Sequence, residues 1–298
     1  MRIHRFIPAL LLVAPLAAQQ KIDRRIAIAP DASIRIYNLI GSIRIIGWDR
    51  DSIAVTGSVP PGGGSFFMGG AGRGAKLGIE RQDEMKEGQP AVLEVRVPRA
   101  ARLWVKAGSA SVVATGLTGE LECSSIDGSI RVEGSLRLVV AESMDGNLNV
   151  AGAIDVVRLK GGGGTITLRG ARGDVLATTV GGAIVASDGA VTRAHLETVS
   201  GTIAYDGTVS PRGTLDVATH SGDVTLRLPP DISAEFDLGS FDGAILYGLS
   251  GKSEGKGEGK GEGTPKMYRG KPLSFTTGAG DARVVVRSFK GEIRILKP

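Results

Sequence analysis

Along most of the chain, apolar residues alternate with polar ones in short runs broken by glycine. The stretch Ser125–Gly152 shows the unit twice: Asp127-Gly128-Ser-Ile-Arg-Val-Glu-Gly134 returns as Asp145-Gly146-Asn-Leu-Asn-Val-Ala-Gly152. Turn positions recur every 18 residues at Ala110, Gly128, Gly146, Gly164 and Gly182, then at Gly201, Gly222 and Gly243 with spacings of 19, 21 and 21. A second set, Gly116, Gly134, Gly152 and Gly170, keeps the 18-residue period. The second and fourth residues after each turn are apolar (Ile130/Val132, Leu148/Val150, Ile166/Leu168), as are the seventh and fifth before it (Leu121/Cys123, Val139/Ala141, Val157/Leu159). Spacing of two puts each pair on one face of a short strand.

Each period therefore holds two strands, and neither can bury its apolar face alone. Stacking copies in register buries both and pairs each backbone with its neighbours. The predicted fold is all-β: a single-stranded β-solenoid, β-helix-like and right-handed by precedent, with about eleven rungs of roughly 18–21 residues. The rungs are expected to stack in chain order, from Ile34–Gly47 to a closing turn at Gly291 with Ile293 and Ile295. Leu273/Phe275 and Ala282/Val284 are read as one rung around Gly280.

Two stretches interrupt the beat. Residues at about 60–88 include PPGGGSFFMGGAGRGAKLG, and residues at about 250–270 include GKSEGKGEGKGEG. Both are expected to be flexible insertions, because such tracts lack side chains that build a core. The pattern resumes after each, so residues 19–298 read as one domain.

The N-terminus adds a location. Arg2 and Arg5, the apolar run Phe6–Ala17 and the small pair Ala17-Ala18 have the layout of a signal peptide over residues 1–18. The expected destination is export, to the periplasm, cell surface or medium. Losing Arg2 and Arg5 leaves 34 of the 36 basic residues against 31 acidic ones, a charge of +3 spread along the chain. That is no nucleic-acid footprint, and no later run reaches the ~20 apolar residues of a membrane span. Cys123 is the only cysteine. It forms no intramolecular disulfide and is expected inside. With only His195 and His220 beside it in the exported chain, no Cys/His metal site is assigned.

Candidate chemistry centres on Asp127 and Asp145. One rung apart, they would stand about 5 Å from each other at the backbone, overlapping the carboxyl separation of retaining glycosidases. Asp-Gly is also a preferred turn pair, because Asp accepts local backbone hydrogen bonds and Gly takes positive φ. The column they belong to runs Ser109, Asp127, Asp145, Gly163, Gly181, Ser200, Ser221, Asp242, which a turn explains throughout and catalysis does not. Three residues before each turn stands Asn38, Ala107, Ser125, Ser143, Gly161, Thr179, Thr198, Thr219, Ser240 or Thr277. This ladder is read as hydroxyls satisfying one another and the backbone; neither His195 nor His220 lies in a motif that would activate one as a nucleophile. Gly161–Gly164 lacks the Gly-Lys-Ser/Thr ending of a phosphate loop, and Arg35, Arg44 and Arg131 are read as outward strand residues. No catalytic, cofactor-binding or metal-binding residue is assigned.

Several segments occur in a telling order: Gly47-Trp48-Asp49-Arg50-Asp51, the lead-in Val97-Pro98-Arg99, and late rungs Thr219-His-Ser-Gly222-Asp223-Val224 and Thr277-Gly-Ala-Gly280-Asp281-Ala282. In this the chain resembles a bacterial family of candidate adhesins, domain of unknown function 4097. The resemblance implies an exported β-solenoid with no catalytic residues to carry over. The expected function is a non-enzymatic interaction module, an adhesin or cell-envelope binding protein, whose partner is an extracellular polymer, a glycan or an envelope protein. One alternative is a carbohydrate-active enzyme on a β-helix scaffold, which would need an acidic cluster walled by long aromatic loops. Another is an envelope scaffold without its own ligand.

Overall fold

The alternation folds into stacked strands. The computed structural model describes residues 19–80, 88–249, 252–253, 266–269 and 272–298, and its regular structure there is all β-strand. The stretch 1–18, read as a signal peptide, lies outside the described residues. Each rung gives one strand to each of two parallel stacks. In the first, Arg102–Ala107, Glu120–Ser125, Leu138–Ser143, Val156–Gly161 and Asp174–Thr179 pair in sequence. In the second, Ser111–Leu117, Ile130–Gly134, Leu148–Ala151 and Ile166–Arg169 do the same. The long strands Ile184–Thr198 and Ile203–Thr219 turn the corner and belong to both stacks, so the whole is one sheet folded back on itself.

The constant period places like on like. Leu103, Leu121, Val139 and Val157 form one buried column; Val112, Ile130, Leu148, Ile166 and Ile184 form another facing it. Full burial of such a side chain contributes about 1.5–3 kcal/mol, and repetition along the rod replaces the disulfides the chain lacks. Cys123 sits in this core at 1 % exposure, as expected.

The corner glycines serve a purpose other than the expected one. Gly128 and Gly146 do not adopt positive φ. They are glycine because each rung lies directly on the one before: a Cβ at Gly146 would stand 2.3 Å from the Gly128 carbonyl oxygen, and one at Gly222 only 1.6 Å from that of Gly201. The second set does need left-handed backbone, at Gly116 (φ 68°), Gly152 (φ 131°) and Gly170 (φ 78°).

Chain order fails at both ends of the stack. The last rung, Ala282–Ser288 with Ile293–Leu296, is not terminal. It pairs on one side with Ile203–Thr219 and Val224–Arg227 and on the other with Ala234–Ser240 and Ala244–Tyr247. Leu273–Thr277, expected to open that rung, instead runs antiparallel along the outer side of Ala234–Ser240. A parallel successor would need the chain to cross back over the end; the short turn at 278–281 instead carries it past Ala234–Ser240 into the gap.

The N-terminal end mirrors this. Ser33–Asn38 with Gly41–Trp48 lies between Gly74–Glu80 with Ala91–Pro98 on one side and Arg102–Ala107 with Ser111–Leu117 on the other. Of the 60–88 stretch, residues 60–80 are therefore no flexible insertion, and 81–87 lie outside the described residues. Ser65–Ala71 and Gly74–Glu80 form a hairpin whose second strand joins the parallel stack, because Ala75, Leu77 and Ile79 supply a buried alternation. Ser52–Val59 and Gln20–Ala27 close that end antiparallel. Of the 250–270 insertion, Lys252–Ser253 and Lys266–Arg269 pair antiparallel with the terminal strands, and the rest lies outside the described residues.

Candidate interaction surface

At most corners between the two stacks the chain turns one buried hydroxyl inward. Ser125 Oγ accepts the Gly128 N–H (3.0 Å) and donates to the Gly108 carbonyl of the preceding rung (2.7 Å). Ser143 accepts from Gly146 and Thr198 from Gly201, each at 3.0 Å, and Thr219 accepts from Gly222 at 3.1 Å. These hydroxyls bond the backbone and not one another, which corrects the expectation of a mutual ladder: in Ser125, Ser143, Thr198 and Thr219 the acceptor is filled by the residue's own turn N–H and the proton is taken by a carbonyl of the rung before. No hydroxyl of this ladder faces a histidine.

The next residue along points the other way. Ile126, Met144, Gly162, Val180, Val199, His220, Phe289 and Phe241 succeed one another along this corner, tied by backbone bonds such as Met144 N–H to Ile126 O (2.9 Å), His220 N–H to Val199 O (3.2 Å), Phe289 N–H to Thr219 O (3.2 Å) and Phe241 N–H to Ser288 O (3.1 Å). Apart from Gly162, which leaves a gap, and His220, their side chains form an exposed apolar ridge: Met144 is 62 % exposed, Val180 60 % and Phe241 76 %. At about 4.8 Å per rung it runs for roughly 34 Å. The rings at its end are parallel, His220 on Phe289 (centroids 4.9 Å apart, planes 7° apart) and Phe289 on Phe241 (5.0 Å, 4°). Contiguous exposed apolar surface of this kind marks an interaction site more often than chance. The sequence carried part of the signal, an apolar residue after Ser125, Ser143, Thr179, Thr198 and Ser240, but the ridge appears only once Phe289 is seen to fall between His220 and Phe241.

A second feature lies on the outer face of the first stack. Arg35, Trp104 and Glu122 stand side by side on adjacent strands, with Ser33, Arg102 and Glu120 in the neighbouring row. They line an open groove of about 460 Å³ with Tyr37. The Trp104 indole donates to Glu122 Oε1 (3.1 Å) and meets the Tyr37 ring edge-on at 5.3 Å. Lys76 lies over the Tyr37 ring at 4.9 Å. Glu120 is engaged by Arg137 at 3.2 Å, whereas Arg35 and Arg102 make no ion pair among the described residues.

The residues singled out from sequence are not brought together into a reactive centre. Asp127 and Asp145 are both exposed at the corner beside the ridge, and Asp127 accepts a bond from Ser109 Oγ (2.9 Å). His195 presents Nδ1 to Asp216 (3.3 Å) and Nε2 to Glu197 (3.1 Å), so its carboxylates lie on opposite ring edges and cannot share one metal ion with it. No cluster of three or more His, Cys, Asp or Glu side chains able to hold a metal occurs among the described residues. Burial pushes the Cys123 thiol up to about 12, making it a core side chain rather than a nucleophile. Gly161–Gly164 is a rung corner whose Gly162 carbonyl accepts from Thr179, and Arg131 pairs with Glu133 on its own strand. No helix among the described residues is long and apolar enough to cross a membrane.

Comparison with known proteins bears on the fold. The family model described as Toastrack, DUF4097, matches residues 51–284. The crystal structure of a candidate adhesin from Parabacteroides merdae ATCC 43184 is similar over 95 % of this chain and 98 % of its own, at 13 % identity and a TM-score of 0.53. That of a candidate cell adhesion protein from Clostridium sporogenes ATCC 15579 aligns over 94 % of this chain and all of its own, at 10 % identity and a TM-score of 0.24. No curated protein matches the sequence.

Proposed function

Because the chain belongs to the Toastrack family, domain of unknown function 4097, we propose that it is an exported, adhesin-like interaction module that binds without turnover and docks a partner protein along its corner ridge. The ridge carries this reading. Ile126, Met144, Val180, Val199, Phe289 and Phe241 contribute little to the core, yet they occupy six of eight successive rungs, with Gly162 and His220 at the other two, where polar residues would serve the fold equally well. A rigid rod then offers many small contacts at a fixed spacing. The enzyme alternative finds less support: the exposed Asp127 and Asp145 sit at a bare corner, without the long aromatic loops that would wall off a substrate.

The test is solid-phase binding of residues 19–298 to immobilised envelope and matrix proteins, against a Met144→Asp/Val180→Asp variant. Saturable binding lost in the variant at unchanged melting temperature supports the reading. Equal binding by the variant, or polysaccharide breakdown abolished by Asp127→Asn, overturns it.

A further inference from the structure

We propose that the groove around Trp104 binds an acidic sugar unit of a polyuronate chain, its carboxylate on Arg35 and Arg102 and its ring on the Trp104 indole. The inference rests on the binding-module reading of the chain but uses a surface separate from the ridge.

The chemistry follows from what the groove leaves unmet. Its volume of about 460 Å³ lies within the span of small-ligand sites, about 300–1,000 Å³. Arg35 on one lip and Arg102 on the central strand, two residues before Trp104, carry guanidinium groups that are exposed and not ion-paired among the described residues. On the other lip both carboxylates are already in use, Glu120 with Arg137 and Glu122 with the indole N–H. With Glu120 offset by Arg137, two guanidinium groups stand against the one remaining carboxylate, Glu122, so the balance is positive; guanidinium recognises a carboxylate by two parallel hydrogen bonds. Between the lips, Trp104 is half-buried and held from two sides, by Glu122 and by the edge of Tyr37. A fixed aromatic surface suits the apolar face of a pyranose, and the spare lone pairs of Glu120 and Glu122 can accept from ring hydroxyls. The groove is open on the sheet surface, so a polymer can pass through without a chain end.

Titration of residues 19–298 with oligogalacturonate, followed by calorimetry, tests this, with the fully methyl-esterified oligosaccharide and a poly-glutamate peptide as comparison ligands. The expected result is saturable binding of the acid that weakens about tenfold or more in Arg102→Gln, in Trp104→Ala and on esterification. The Met144→Asp/Val180→Asp variant should bind it unchanged, so a failed groove and a failed ridge are told apart. All these side chains point outward, and unchanged melting temperatures confirm intact folding. No binding of the acid, equal binding of the ester, equal binding of poly-glutamate, or full affinity in Trp104→Ala would each overturn the proposal.

Discussion

Phe289 lies flat on His220, ring centroids 4.9 Å apart, and so fills the layer that chain order would assign to Phe241. The C-terminal segment is an interior part of the rod. Val284, Val286, Ile293 and Ile295, all fully buried, face the core between two rungs that precede them in sequence. Ending the chain at Asp281 should therefore abolish cooperative thermal unfolding rather than shorten the rod by a rung. Removing residues 19–27, a strand paired on one side only, should leave a single transition at lower temperature. Calorimetry of both truncations checks this, and a cooperative melt from the C-terminal one would contradict the interposed order.

The ladder predicts unequal costs for identical substitutions. Ser143 fills its acceptor with the Gly146 N–H and lies within reach of the Gly128 carbonyl at 3.2 Å, so Ser143→Ala leaves a buried donor and acceptor unmet and should cost about 1–3 kcal/mol. Ser288 occupies the same position in its rung, but its Oγ has no hydrogen-bond partner. Ser288→Ala should be neutral or slightly stabilising. Chemical denaturation of the pair decides it.

Glycine at the corners is required by space. Gly222→Ala would place its Cβ 1.6 Å from the Gly201 carbonyl oxygen, both on rigid backbone, and should cost at least about 3 kcal/mol or prevent folding. Gly69→Ala meets nothing within 4 Å and should stay within about 0.5 kcal/mol of the parent. Expression yield and urea midpoints separate the two.

Cys123 predicts an alkaline limit. Its thiol is raised by burial from 9.0 to about 12 in the folded chain. Between pH 9 and about 12 the unfolded chain gives up this proton while the folded chain keeps it. Unfolding then releases protons, and the contribution to stability falls as pH rises through that window. Cys123→Ala should flatten this fall, read as urea midpoints from pH 8 to 11. The native thiol should also stay unlabelled by maleimide until the chain is denatured.

Much of the fold was written in the phase of single residues. Leu121, Cys123, Ile130 and Val132 are all buried where their spacing places them, because a two-residue period and an 18-residue period leave one register. What the sequence could not show was which rung neighbours which. Ala282–Ser288 fits equally well on any rung, since every rung shows the same apolar columns, and only three-dimensional closure chooses. The 60–88 stretch misled for a related reason: its glycines hide the alternation Ala75, Leu77, Ile79. The groove was less legible still, for Arg35, Trp104 and Glu122 belong to three strands whose adjacency depends on that order.

The interposed last rung also sets a timetable. From Arg102–Leu117 onward, a chain leaving the ribosome or a translocation channel from its N-terminus can lay down rungs one on another as far as Val224–Arg227. Beyond it, Ala234–Tyr247 emerges before the rung that must separate it from its predecessor. A wrong docking of like upon like is open during that interval, and only the segment 282–298 removes it. Arrival of that segment thus locks the structure, and slow synthesis or release before it emerges would be punished more than errors upstream.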